Sequence, residues 1–210
     1  MRVLRCAPVL PRGGPLLPAA TEIVCALDDE DGLVGISHEC DFPEAIRDRR
    51  VLTRSRVGPL PTSREIDAAV RSALREAISI YAVDEEALAQ PSPDVIVTQD
   101  LCEVCAVSLD DVRAAVSRLV GRSDVRVVSL TPTRLADALG DIERVGVALG
   151  RVERAREVRR TLEQRIDAIA ERTRTLNRPR TVSVEWIEPL MLGGTWMPEL
   201  IELAGGTPLG

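Results

Sequence analysis

The side chains in this sequence best suited to chemistry are thiols and a single imidazole. Cys102 and Cys105 form a C-x-x-C pair with Glu103 between them, just after the most strand-like stretch of the chain, residues 94–98. His38 and Cys40 follow another short apolar run, residues 33–36. If these two loops meet, His38, Cys40, Cys102 and Cys105 provide a Cys₃His donor set of the kind that holds zinc or another soft metal. Two alternatives stand beside it. The loops could carry ordinary reduced thiols, or Cys102 and Cys105 could act as a thiol–disulfide couple. A helix N-terminus downstream of the pair would lower a thiol pKa, whereas the charge on Glu103 would oppose thiolate formation.

His38 is the only histidine, so any Ser–His or Cys–His catalytic pair must use it. The sequence has no nucleophile elbow, no Gly-rich oxyanion loop and no phosphate-binding glycine motif. All 27 basic residues are arginine, which excludes a Schiff-base or P-loop lysine. Aromatic residues make up 2% of the chain: Phe42, Tyr81, Trp186 and Trp196. The two tryptophans flank Glu185, Glu188 and a Gly193-Gly194 turn, and two indoles so placed could clamp a flat ligand. The plainer alternative is that one or both belong to the core.

The elements that must position these groups sit in a chain of 210 residues, 45% hydrophobic and 29% charged, an ordinary globular composition. A net charge of −6 and the scarcity of rings argue against nucleic acid. No run of about 18 apolar residues is present, so membrane insertion is not expected. Five cysteines at uneven spacing do not make a disulfide framework and fit a reducing compartment. The N-terminal residues, broken by Pro8, Pro11 and Arg12, make a poor signal peptide, so a cytoplasmic location is expected.

Four prolines and a Gly-Gly pair mark residues 1–18 as an irregular lead-in. Helix is expected over 20–28, strands at 33–36 and 51–53, and a helix after the capping box Thr62-Ser63-Arg64-Glu65. A short helix at 84–90, a strand at 94–98, a helix capped by Ser108 and a strand at 125–130 follow. This alternation implies a parallel sheet covered by helices. Residues 133–149 read as one helix. Residues 151–176 read as a second, with a stripe of Val152, Ala155, Val158, Leu162, Ile166, Ile169 and Leu176, and with Glu153/Arg156, Glu157/Arg160 and Glu171/Arg174 pairs opposite. So long a helix reads as a spine between two parts. After it come one expected strand (181–186), the glycine turn and a short helix (197–204), too little for a sheet of their own.

Three stretches resemble a known family. Leu17-Pro18-Ala19-Ala20-Thr21-Glu22-Ile23-Val24-Cys25-Ala26-Leu27 is similar to the opening strand-turn-helix of the helical-backbone substrate-binding proteins that serve ABC importers for cobalamin, haem and ferric siderophores. Ser37-His38-Glu39-Cys40-Asp41, the run from Thr98 through Asp100 and Cys102-Glu103-Val104-Cys105 to Val107, and Glu185-Trp186 with Trp196-Met197-Pro198-Glu199-Leu200 resemble its cobalamin-binding branch. The chain departs from the family pattern at Arg12-Gly13-Gly14-Pro15, where the first strand belongs, at Gly194-Thr195-Trp196, where relatives often have Gly-His-Trp, and beyond residues 204–206, where the family's second lobe continues.

The resemblance implies an α/β protein of two lobes with parallel sheets joined by a long spine helix, the second lobe incomplete: residues 1–132, 133–178 and 179–210. It implies a binding protein, not an enzyme, with cobalamin or a similar corrinoid or iron chelate as ligand, an ABC permease as partner and no required cofactor. Relatives are periplasmic or extracellular. The ligand-binding residues expected are His38, Glu39, Asp41, Asp100, Cys102, Glu103, Cys105, Trp186 and Trp196, with His38 as candidate axial ligand or polar anchor. The rival function is a small metal-binding or thiol-redox protein using Cys102 and Cys105, and a third reading is a non-functional gene fragment.

Overall fold

A computed structural model describes residues 10–76, 80–100, 109–119 and 124–210. The chain enters as strand β1 (Gly13–Pro15) and turns into helix α1 (Pro18–Ala26). Pro18 stands at the helix start, where its missing N–H costs nothing. Strand β2 (Thr53–Ser55), helix α2 (Ser63–Arg75), strand β3 (Tyr81–Val83) and helix α3 (Glu85–Ala89) follow. Then come β4 (Val95–Gln99), α4 (Leu109–Leu119), β5 (Arg126–Leu130), α5 (Leu135–Ala148) and α6 (Val152–Thr173).

The central sheet has the order β1-β4-β5, all parallel, with Gly13 opposite Val95 and Val95 opposite Arg126. Val95, Ile96, Val97 and Thr98 are all fully buried, as expected of a parallel strand covered on both faces. Their alternation sorts the core. Val95 and Val97 pack with Val24 of α1, Leu27 just past its end, and Ile142 and Val145 of α5. Ile96 points the other way, among Leu52, Leu88, Val112 and Ala115.

Three expectations need correction. Residues 13–15 are not an irregular lead-in but a strand flanked on both sides: Val34 N–H donates to Gly13 O (2.9 Å), and Leu16 N–H donates to Val97 O (2.9 Å). Gly-Gly-Pro has poor strand propensity, so its neighbours impose the conformation. Residues 33–36 do not form a strand; Leu33 and Ile36 make single parallel bridges to Gly13 and Val51. The parallel alternation is also interrupted, because β2 and β3 form a separate antiparallel pair, Thr53 opposite Val83 and Ser55 opposite Tyr81.

Helix α6 runs unbroken for 22 residues, about 33 Å at 1.5 Å per residue. Its N-terminal end is anchored: Ala155 is fully buried, and a Cβ on Gly146 of α5 would collide with that of Ala155. Arg151 donates from Nη2 (2.5 Å) and Nε (3.1 Å) to Oδ1 of the buried Asp29. Along its length Val158 and Leu162 pack on the core, whereas Ile169 is exposed, as is Leu176 just past the helix end. Of the expected surface pairs, Glu153–Arg156 and Glu171–Arg174 form, while Glu157 pairs with Arg154 instead.

Beyond the spine lie β6 (Arg180–Thr181), β7 (Val184–Trp186), β8 (Met191–Leu192), α7 (Met197–Leu203) and β9 (Thr207–Pro208). More than one strand is therefore present: β6 pairs in parallel with β9, and β7 pairs antiparallel with β8. Strands of two or three residues are too short to display a period of two. Helix α7 is fastened back by Glu199, which accepts from Arg134 Nε (2.9 Å) and Leu135 N–H (3.2 Å) at the start of α5. Among the described residues no helix is long and apolar enough to cross a membrane.

Candidate ligand cleft

The bridge between Ile36 and Val51 sets the site. Ile36 N–H donates to Arg50 O and Leu52 N–H donates to Ile36 O, both 2.8 Å. This holds residues 37–39 alongside β2. Thr53, buried at the start of β2, becomes a hub. Its Oγ1 accepts from His38 N–H (3.0 Å), lies 2.7 Å from His38 Nδ1 and donates to Oγ of the buried Ser37 (3.1 Å).

Tyr81, across the β2–β3 pair, completes the cluster. Its ring lies 5.2 Å from that of His38, tilted by 57°, and its hydroxyl donates to Glu39 Oε1 (2.6 Å). The same tyrosine lines a largely apolar cleft of about 390 Å³, with Ile66, Asp67 and Val70 of α2 on one wall and Glu185, Trp186 and Met191 of the β7–β8 pair on the other. Trp186 is fixed there by its indole N–H, shared between Glu188 O (3.0 Å) and Ser63 O (3.2 Å). An ion pair between Arg64 and Glu188 supports the same contact. The cleft therefore lies between the first lobe and the residues that follow the spine.

The capping box that starts α2 forms partly as expected. Glu65 N–H donates to Thr62 Oγ1 (3.3 Å), but the Glu65 carboxylate accepts from the Thr62 hydroxyl (2.7 Å). It places Ile66 and Val70 on the cleft wall.

Of the residues expected at a site, His38, Glu39 and Trp186 come together around Tyr81. Trp196 does not line this cleft; it caps the start of α7. Asp41 is exposed, its carbonyl accepting from Arg47 Nε (3.0 Å). Asp100 is exposed at the carboxyl end of β4, where its N–H donates to Leu130 O (3.2 Å). Because the Leu33 and Ile36 bridges and β4 are all parallel to their partners, His38 and Asp100 share the carboxyl edge of the sheet, where open α/β sheets bind ligands. Cys102, Glu103 and Cys105 lie outside the described residues.

Cys40 turns inward. Its Sγ is 3.1 Å from Thr21 Oγ1 and packs against the core, and burial pushes its thiol pKa up. Burial, together with nearby Glu30, pushes Cys25 up to about 11. Among the described residues no three His, Cys, Asp or Glu side chains converge as a metal site. Sequence reasoning did not find Thr53, Ser37, Ile66, Val70, Met191 or the role of Tyr81. The one available signal was that Tyr81 is the chain's sole tyrosine.

No protein-family model matches the chain, and no curated protein matches it. Solved structures do. The chain is similar to an ABC transporter substrate-binding protein from Listeria monocytogenes EGD-e, at 19% identity and a TM-score of 0.62 over 94% of this chain and 64% of that one. It is similar to the periplasmic vitamin B12 binding protein of Vibrio cholerae, at 17% identity and a TM-score of 0.65 over 95% and 66% of the two chains. The periplasmic haem-binding protein of Roseiflexus sp. RS-1 gives 17% identity and a TM-score of 0.66 over 94% and 65%. At such identities the likeness is one of fold, mixed α/β with parallel sheets and long helices, and the chain spans 64–66% of these neighbours' length. All three are binding proteins by name.

Proposed function

We propose that this chain binds a flat metal chelate as cargo for an ABC-type importer, with cobalamin or a similar corrinoid as the first candidate and haem or a ferric chelate as the others. The observation that carries this reading is the cleft itself. It joins the first lobe to the β7–β8 pair, it is mostly apolar, and it sets Tyr81 and Trp186 on its walls. Aromatic walls with a few placed polar groups suit a flat, partly apolar ligand. At about 390 Å³ the cleft is near the lower end of small-molecule sites, so it accepts an edge of a macrocycle rather than the whole. The similar folds include proteins named for vitamin B12 and for haem, which supports the chelate class without separating its members.

The role is binding rather than catalysis, with α6 as the rigid member that limits how far the parts can close. A permease would be the partner. Several similar structures are named periplasmic, and nothing in the fold supports the cytoplasmic location expected from the N-terminal residues.

Titration of the purified protein with cobalamin, ferric haem and a ferric siderophore, followed by absorbance, tests the reading. One chelate is expected to saturate at one per chain. If none of the three perturbs its spectrum, the cargo role fails.

A further inference from the structure

The charges on the cleft walls separate the candidate cargoes. Two of the lining residues are acidic, Asp67 on the α2 wall and Glu185 on the β7 wall, and among the described residues no basic side chain lines the cleft. Two neighbouring arginines are already engaged. Arg71 Nε lies 2.8 Å from Asp67 Oδ2, and Arg64 pairs with Glu188. Asp67 Oδ1 is left over, and the Glu185 carboxylate makes no hydrogen bond or ion pair among the described residues. Glu39, which accepts from the Tyr81 hydroxyl, adds another negative charge beside the same ring. The balance around the cleft is therefore negative. Charge is screened less in an apolar cleft than in bulk water, so an anionic group entering between these walls is repelled. An N–H group entering there instead gains a charge-assisted hydrogen bond, roughly twice as strong as a neutral one.

We propose that Asp67 and Glu185 make the cleft select its cargo by the charge of the rim that enters it. It takes a chelate whose rim is uncharged or cationic and rich in N–H donors, and it turns away one whose rim carries carboxylates. The proposal rests on the cargo reading above and divides the chelate class. A corrinoid is rimmed by carboxamides and meets the requirement. Ferric haem, with its two propionates, and carboxylate-bearing siderophores do not. The apolar and aromatic walls hold either kind of macrocycle equally well, so the discrimination falls to the carboxylates. Because they stand on opposite walls, a rim that donates to both also ties α2 to the β7–β8 pair. Specificity of this kind comes as much from repelling the wrong partner as from attracting the right one.

Three probes test it: cyanocobalamin, cyanocobalamin whose peripheral amides have been partly hydrolysed to carboxylates, and ferric haem. The first two share one macrocycle and differ in rim charge. Calorimetric titration of the wild type should show cyanocobalamin bound at least about tenfold more tightly than either anionic probe. In Asp67→Asn, Glu185→Gln the pattern should converge, with cyanocobalamin weakened, the hydrolysed corrinoid strengthened and their ratio below about threefold. The Asp67–Arg71 pair is an i,i+4 contact on the helix surface and contributes little to folding. Glu185→Gln alone breaks no contact among the described residues and should give about half of the convergence, on a logarithmic scale. If the wild type binds the hydrolysed corrinoid or haem as tightly as cyanocobalamin, or if the preference survives unchanged in both variants, selection by these carboxylates is wrong while the cargo reading stands. If none of the three probes binds the wild type, the cargo reading fails and the selection with it.

Discussion

The phenol of Tyr81 donates a 2.6 Å hydrogen bond to Oε1 of Glu39, tying β3 to the turn that carries His38. One side chain thus lines the cleft with its ring and steadies the polar cluster with its hydroxyl. Tyr81→Phe keeps the ring and removes the tie. A hydrogen bond of this sort is worth about 0.5–1.5 kcal/mol, so chelate affinity should fall roughly 2- to 10-fold, with thermal stability changed by no more than about 1 kcal/mol. Calorimetric titration paired with thermal melts separates the two effects; unchanged affinity would mean that the Glu39 tie does not serve the cleft.

The ion pair between Arg151 and Asp29 should be the most costly polar contact to break. Asp29 is 4% exposed and accepts twice from one guanidinium. Removing the arginine strands a buried carboxylate, which typically costs about 3–5 kcal/mol. Arg151→Met is expected to lower the urea midpoint accordingly, and the double variant with Asp29→Asn to recover most of the loss. Equal stability of the two variants would contradict this account of how the spine is anchored.

Gly146 and Ala155 set the approach of α5 to α6, because a Cβ on Gly146 would overlap that of Ala155. Gly146→Val forces the helices apart, and overpacking of this kind costs about 1–3 kcal/mol. Denaturant unfolding should show the loss, with helical circular dichroism at low denaturant unchanged. A variant as stable as the wild type would mean that the crossing tolerates separation.

Two carboxylates at the start of α5 make folding sensitive to acid. Hydrogen bonds from Thr133 and Arg134 lower the pKa of Asp137, and Arg134 followed by Leu135 N–H lowers that of Glu199. A carboxyl group whose folded pKa lies below its unfolded value of about 4 contributes stability above that value and loses it as pH falls through the folded one. Asp141 acts in the opposite sense, since burial raises its pKa and its penalty grows as pH rises through that range. Stability should therefore decline below about pH 4.5, and the decline should be shallower in an Asp137→Asn, Glu199→Gln protein. Identical pH profiles for the two proteins would remove these groups as its cause.

The sequence displayed long periodic elements and concealed short paired ones. α6 was legible because Val152, Ala155, Val158 and Leu162 recur at helical spacing through a segment free of Gly and Pro. β4 was legible because four consecutive apolar or β-branched residues make it the most strand-like stretch of the chain. β1 was not, since Gly13-Gly14-Pro15 takes its conformation from Val34 and β4 rather than from its own side chains. The site was half legible. His38, Glu39 and Trp186 stood out by residue type, but the Trp186 indole meets Ser63 across 123 positions of sequence, a distance no local pattern encodes. Of the two tryptophans expected to share a ligand, Trp186 lines the cleft and Trp196 stands at the N-terminus of α7, outside the lining.

The central claim is that the cleft beside Trp186 holds the chelate. Calorimetric titration of three proteins, wild type, Trp186→Ala and Trp196→Ala, with whichever of cobalamin, ferric haem and ferric siderophore perturbs its spectrum tests it most directly. The account predicts one site per chain, an affinity loss of at least about tenfold (about 1.4 kcal/mol) in Trp186→Ala, and little change in Trp196→Ala. Wild-type affinity in Trp186→Ala, or a loss confined to Trp196→Ala, would contradict it.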